Sequence, residues 1–464
     1  MKAFRARLSV VSRSDSGLTL VEVIIALLIF GIVAVGVAYS LANSLTISRD
    51  ARNRVAAANI ASEFIDNARS IENVFTIVDQ ADVPRTVGGT KYHVRVETGW
   101  VTSTDTQAQC GAATSTGSGA LEFKRIAVYV TWDGMRAGTV PIRSDTILAP
   151  NSRINDPTLG TIVISAENAL GGGSAGITVN TQPSASPAGA VAVPNQGLNT
   201  DSDGCSYVLK VVPGNYDVTL TRSNYVDLAQ TVTSTKLNVT VVAGGSALAK
   251  VAFDNGALIT SRYPASPSAT VNMLVPTNLQ TTFSSTKSTT VLAGANPARV
   301  FPDSYQLVAG TYDATNCKAP DPAAWATRGD GAFGERMDPV SVAAGASATV
   351  DLPMGRVLVT VGGLKDKYIT AVLQPDVSNG NPGCTSAVDA NDAPLTKYTF
   401  RQTPDSTPSN TAYIALPYGT YKLYYGSSSG STSSNLTGTP LNAAGVPIGT
   451  PATQTVVIDP RIVH

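Results

Sequence analysis

The 464-residue sequence contains two histidines, His93 and His464. Chemistry that uses imidazole as a base, a nucleophile or a zinc ligand therefore has almost nothing to draw on. Charge is scarce as well: 14% of residues are charged, and 33 basic residues balance 33 acidic ones. No long basic run occurs, so the sequence lacks the electrostatic footprint of a nucleic-acid partner. There is no phosphate loop and no C-x-x-C. "GGSAG" (Gly172–Gly176) and "GSSSG" (Gly426–Gly430) match G-x-S-x-G, but neither is followed by a helix pattern, and the histidine partner of a nucleophile elbow is missing. "NTDSDG" (Asn199–Gly204) opens like a calcium loop, yet its twelfth position is Lys210 where a bidentate Glu is needed. A turn is the expectation there, with a weak Ca²⁺ site at Asp201 and Asp203 left open. No catalytic residue, cofactor or metal is expected, and the chain is not expected to be an enzyme.

Thr, Ser, Gly and Val are abundant instead, the composition of an extracellular, turn-rich β protein. The length suits three or four domains. Cys110, Cys205, Cys317 and Cys384 are an even set, as expected of disulfides formed outside the cytoplasm. Four cysteines admit three pairings. Cys110–Cys205 with Cys317–Cys384 is the one adopted, and the other two stay open.

One long apolar run exists. "SDSGLTLVEVIIALLIF" (Ser14–Phe30) introduces it, Val23–Ala38 is uninterrupted, and Glu22 is the one charge between Leu18 and Leu45. That is long enough to span a bilayer, which takes about 20 residues. A carboxylate at such a place is costly and marks a functional position. Lys2, Arg5, Arg7 and Arg13 precede the run, and Arg49, Arg52 and Arg54 follow it, so charge alone orients it weakly. A cleavable secretory signal ending at Ala38 is the bland alternative. The run's length, its acid and the lack of a breaker after it count against that. Ile60, Phe64, Ala68, Ile71 and Phe75 then recur at spacings of three and four, an amphipathic helix continuous with the apolar one. A single helix from Leu18 to Ser70 would be about 80 Å long.

"GLTLVEV", with its basic leader and the helix behind it, resembles the class III signal of type IV prepilins and pseudopilins. The resemblance implies cleavage by prepilin peptidase between Gly17 and Leu18 and methylation of the new Leu18 amine. It also implies an assembly role for Glu22, the fifth mature residue, whose carboxylate pairs with the N-terminal ammonium of a neighbouring subunit. Leu18 departs from the usual first mature Phe, and Tyr39 stands where many major pilins have Pro. The first departure is a tolerated one, and the absence of that Pro favours a minor pilin or pseudopilin. The leader's place in the cytoplasm follows from the resemblance alone.

Residues 90–150 read as three antiparallel strands, "TKYHVRVETGWV", "LEFKRIAVYVTW" and "VPIRSDTILA", with an Asp-Gly turn before the third. Trp132 is expected in the core. "APNSRINDPTLG" (Ala149–Gly160) is a linker. Three diverged repeats follow. They open on "GTIVISAENA", "GALITSRYPA" and "GRVLVTVGGL" and turn at Gly214, Gly310 and Gly419 before an aromatic, in "VVPGNYDVTL", "LVAGTYDATN" and "LPYGTYKLYY". The pattern resembles carboxypeptidase-regulatory-like and other transthyretin-like sandwiches, non-catalytic spacer or binding modules.

The expected fold class is an α+β pilin module, a long N-terminal transmembrane helix packed on a small antiparallel sheet, followed by all-β sandwich repeats. The expected divisions are leader 1–17, filament-core helix 18–45, pilin head 46–150, and sandwiches 151–245, 246–354 and 355–464. The expected function is a minor-pilin-like structural subunit of a type IV pilus-like surface filament, its β head serving adhesion or the tip. The alternatives are a pseudopilin of a type II-like secretion system and a membrane-anchored surface binding protein. Expected partners are prepilin peptidase, other pilin subunits with their assembly platform, the membrane and a surface ligand. The precursor would sit in the cytoplasmic membrane, head outside, before joining the filament.

Overall fold

A computed structural model describes residues 19–71, 74–101, 110, 123–136, 138–148, 156–294, 296–385, 396–401, 410–448, 450–453 and 455–462. The expected cleavage junction, Gly17–Leu18, lies outside them. The chain divides into two compact units, residues 1–99 with 124–149 and residues 100–123 with 150–464.

The first unit is built on one helix, α1 (Leu20–Ser70). No proline interrupts it. Its buried stripe is Ala57, Ile60, Ala61, Ile65 and Ala68, spaced as one face of a 3.6-residue period. The expected stripe is thus shifted. Phe64 is half-buried and Ile71 lies past the helix end, while three alanines let the backbone approach the sheet closely. The sheet has four strands in sequential order, β1 (Gln80–Val87), β2 (Thr90–Val101), β3 (Phe123–Trp132) and β4 (Ile142–Leu148). Tyr92, Val94 and Val96 of β2 are buried, as are Lys124, Ile126, Val128, Val130 and Trp132 of β3. Two side-chain pairs fix the helix on the sheet. Tyr92 donates to Asn53 Oδ1 (3.3 Å), and Arg69 donates to Thr146 Oγ1 (3.1 and 3.2 Å).

The extra strand is β1. Pro84 within it argues against a strand by composition, but a proline is tolerated at a sheet edge, where its missing N–H costs no ladder bond. Gly88 and Gly89, with φ of +55° and +80°, supply the two left-handed residues that a two-residue hairpin turn requires.

On the outer face of that hairpin His93 bridges two carboxylates. Its Nδ1 lies 3.1 Å from Asp82 and its Nε2 lies 3.2 Å from Asp133. The hydrogen bonds to Asp82 and Asp133 raise its pKa above the ordinary 6.5. A raised folded-state value means that the bridge's contribution to stability is complete below pH ~6.5 and fades as pH rises through the higher folded value. NMR titration checks this directly, because the chain has only one other histidine, His464. The His93 ring should titrate above 6.5. A midpoint at or below 6.5 would contradict the bridge.

The second unit is all β. Its first sheet pair has β5 (Gly160–Glu167) between antiparallel β7 (Cys205–Val211) and parallel β11 (Ser246–Asn255), with β9 (Tyr225–Asp227) beyond β11. Facing it are β6 (Thr178–Pro183), β8 (Gly214–Thr221) and β10 (Thr233–Val241). The core between them includes Ile162, Ile164, Tyr216, Val218, Leu220, Ala249 and Phe253. By pairing, β11 belongs with this sandwich, although it begins just past the expected division at Gly245.

The same plan recurs in the second sandwich, and the third departs from it in having no parallel partner for its opening strand. β12 (Ala257–Arg262) lies between antiparallel Ala298–Val300 and parallel Ser347–Asp351. Gly355–Thr360 lies between Thr411–Leu416 and Thr437–Leu441, both antiparallel. These two sandwiches share one continuous core, from Ala257 and Ile259 through Tyr305 and Val357 to Leu423 and Ile458. The short strand Met273–Leu274, which precedes the third opening strand in sequence, pairs with Tyr413 and Ile414 in the third sheet.

The second turn-aromatic unit is out of register with the expectation. In the first sandwich the Tyr216 hydroxyl donates to the carbonyl of Val212 four residues back (2.8 Å), and in the second it is Tyr305 that does so, to Phe301 (2.7 Å). The equivalent segments are "PGNY" and "PDSY", so Tyr305 replaces the expected Tyr312. Gly310 has another task. Its φ is +90°, and a Cβ there would crowd Tyr398 and Pro417 of the third sandwich. Burial pushes the Tyr305 hydroxyl up to about 12. It also accepts from Gln230 Nε2 (3.2 Å) while Gln230 Oε1 takes the Phe301 N–H, a satisfied polar joint between first and second sandwiches.

Candidate functional site

The sequence points to the start of α1. Thr19 is its N-cap, in an extended conformation (φ −72°, ψ 149°). The Glu22 N–H donates to Thr19 Oγ1 (3.3 Å), and Glu22 Oε2 accepts from the Thr19 N–H (3.3 Å) and hydroxyl (3.2 Å). This is a reciprocal capping box, with two otherwise orphaned N–H groups satisfied and a carboxylate held at the positive end of the helix dipole. The box is legible in the sequence as Thr19-x-x-Glu22.

Behind it, every residue from Thr19 to Arg49 is exposed, among them Leu20, Ile24, Leu27, Phe30, Val35 and Leu41. An apolar helical surface of this length is untenable in water, but in lipid its backbone is satisfied internally. The helix is long and apolar enough to cross a membrane.

Residues 12–38 match the family model described as the prokaryotic N-terminal methylation motif. The chain carries a prepilin-type motif. The match holds the expected junction, Gly17–Leu18, together with the capping box and most of the apolar helix. No curated protein sequence matches the chain. Among solved structures, the Bacillus anthracis TIE protein aligns over 86% of this chain and 76% of its own, at 10% identity and TM-score 0.19. The streptococcal ancillary pilin aligns over 50% and 78%, at 8% identity and TM-score 0.19. BcpA, the major pilin subunit of Bacillus cereus, aligns over 66% and 97%, at 10% identity and TM-score 0.16. Likenesses at such scores carry no weight for fold or function.

The remaining candidates fall into place as structure. Cys110 is bonded to Cys205 and Cys317 to Cys384. Asp201 Oδ1 accepts the N–H groups of Asp203 (3.1 Å) and Cys205 (2.8 Å), which is a turn, and among the described residues no group of three or more acidic, His or Cys side chains converges as metal ligands. Both G-x-S-x-G stretches run through loops, and no helix follows either. A cleft of about 760 Å³ in the second unit holds Arg328, Asp459 and Arg461. Arg461 is consumed there: it pairs with Asp459 (2.7 and 2.8 Å) and donates to the carbonyls of Ala326 and Asn379 (both 2.6 Å). Burial pulls the Asp459 carboxyl up, but the Arg461 bonds outweigh it and hold it below the usual range. The pair works as a clamp on the C-terminal strand.

Proposed function

We propose that the chain is a minor-pilin-like structural subunit of a type IV pilus-like surface filament. The observation that carries the reading is one acid in a capping box at the head of an exposed apolar helix, inside a methylation motif. On this reading prepilin peptidase cuts after Gly17, Leu18 is methylated, and α1 leaves the bilayer to bundle with other subunits. In that low-dielectric bundle Glu22 pairs with a neighbour's Leu18 ammonium, which checks register because an unpaired charge there is heavily penalised. The head is the four-stranded sheet on α1. The β modules present loops for adhesion or hold a binding surface away from the cell. The size of the β region favours this over a secretion-system pseudopilin, whose head is usually small. Nothing in the reading calls for catalysis.

Intact mass and N-terminal peptide analysis of the membrane-extracted protein test it. The mature chain should begin at N-methyl-Leu18. A start near Tyr39 would mean ordinary signal-peptide processing and end the pilin reading.

A further inference from the structure

The end of α1 farthest from its N-cap poses a problem of charge. Arg49, Arg52 and Arg54 lie within a few residues of the apolar span, and basic residues there oppose the orientation set by Lys2, Arg5, Arg7 and Arg13 in the leader. Placement against the topology rule calls for a local use.

Within the first unit the three arginines line a groove of about 970 Å³ between α1, the β1–β2 turn and the β3–β4 turn, which adds Arg136. Its wall includes Tyr92 and Trp132, and its acidic residues are Asp50 and Asp133. Both acids are engaged. Asp50 pairs with Arg54 (2.9 Å), and Asp133 faces His93 (3.2 Å). Arg49, Arg52 and Arg136 form no ion pair among the described residues. The groove therefore holds three uncompensated guanidiniums.

Its depth matters as much as its charge. Twenty residues from Val23 fill a hydrocarbon core of about 30 Å and end near Ala42. The next ~5–8 Å of headgroup layer takes up residues to about Ile47. The groove begins there, at Asn43, Thr46 and Ile47, with Arg49 and Arg52 on the following turn. Helical side chains lean toward the N-terminus, which for this helix is toward the bilayer.

We propose that this groove binds the phosphate headgroup of an anionic phospholipid from the bilayer surrounding α1, with Arg49, Arg52 and Arg136 as its ligands. Guanidinium suits that ligand because its planar fork engages two phosphate oxygens at once. The site seats the head on the membrane surface before assembly and adds a contact that subunit extraction has to break. The inference rests on the reading that α1 spans a bilayer.

The test uses the full chain in mild detergent, titrated with short-chain phosphatidylglycerol or phosphatidylcholine and followed by native mass spectrometry. Wild type should retain phosphatidylglycerol preferentially. Arg49→Gln/Arg52→Gln/Arg136→Gln should lower that preference at least ~tenfold, given the usual gain per basic residue at an anionic surface, and the triple Lys variant should keep most of it. Circular dichroism checks that the variants fold. Equal retention of the two lipids, or an unchanged preference in the Gln variant, overturns the proposal. Displacement of the lipid by millimolar inorganic phosphate also overturns it, since the site would then be one for a free anion. Cell fractionation is scored separately. A chain missing from the membrane fraction refutes the membrane-span reading, whereas a membrane chain without headgroup preference refutes this inference alone.

Discussion

Glu22→Leu should reach the membrane and lose its leader normally, yet be nearly absent from sheared filaments. Removing one partner of a buried ion pair strands the other and costs about 3–5 kcal/mol, which is more than a hundredfold in occupancy of a filament position. The variant also loses the reciprocal bond to the Thr19 N–H, a cap worth only about 0.5–2 kcal/mol. Leucine removes both at once, so it cannot say which matters. Glu22→Gln separates them. Glutamine keeps the capping box, because its side-chain oxygen still accepts from the Thr19 N–H, but it carries no charge for a neighbouring ammonium. If pairing governs assembly, the Gln variant should be as poorly incorporated as the Leu variant. Incorporation of Gln at wild-type level would reassign Glu22 to helix capping and remove the pairing argument. Both variants should be cleaved to Leu18, because the junction lies outside the change. Accumulation of uncleaved precursor would make the defect one of processing.

The parts of this fold written by local periodicity were legible in the sequence. The apolar run, the absence of proline before Pro84 and the i, i+3, i+4 recurrence place α1 to within two residues of its observed start, Leu20. The alternation in "TKYHVRVETGWV" gives the inward face of β2, Tyr92, Val94 and Val96, which are all buried. What local pattern could not supply is partnership. Pro84 reads as a breaker until the strand is known to be an edge. Gly310 and Tyr312 copy the letters of a Gly-x-Tyr turn, but the tyrosine that closes onto a carbonyl four residues back is Tyr305, after an Asp-Ser in place of Gly-Asn. The expected division at Gly245 falls just before β11, and the parallel ladder of β11 with β5, Ser246 against Thr161 through Ala252 against Glu167, pairs it within the first sandwich. Likewise Arg461 has the look of a surface charge near the end of the chain, and its clamp on Ala326 and Asn379 spans more than 80 residues of sequence. At the candidate site the roles were unequally visible: the acid announces itself by its cost in an apolar run, while its capping partner Thr19 is one polar residue among many.

Cys317→Ala/Cys384→Ala should lower the melting temperature of the β region by about 10 °C. The bridge joins positions 67 residues apart, and removing a closure of that size frees the unfolded chain by about 4 kcal/mol, with roughly 2–4 °C per kcal/mol expected for a body of about 150–250 residues, the size of the second and third sandwiches that share one core. Alanine is the right replacement because both cysteines are almost wholly buried and serine would bury a hydroxyl. The bridge also sits inside a backbone ladder. Asp313 and Cys317 exchange N–H···O bonds (2.9 and 3.0 Å), and the N–H groups of Lys318 and Ala319 both reach the Gly383 carbonyl (3.1 Å each). It therefore ties the long segment after Ala309 to the third sandwich, so the loss should appear locally as well. Limited proteolysis should cut first between Gly310 and Arg336 in the variant and not in wild type. The Cys110→Ala/Cys205→Ala chain provides the comparison. Its 95-residue separation makes the chain-entropy loss greater by only about 0.3 kcal/mol, so the two variants should melt within a few degrees of each other, but this one should leave the Gly310–Arg336 segment protected. If the Cys317/Cys384 variant kept the wild-type melting temperature and proteolytic pattern, the second and third sandwiches would be held by their shared apolar core alone.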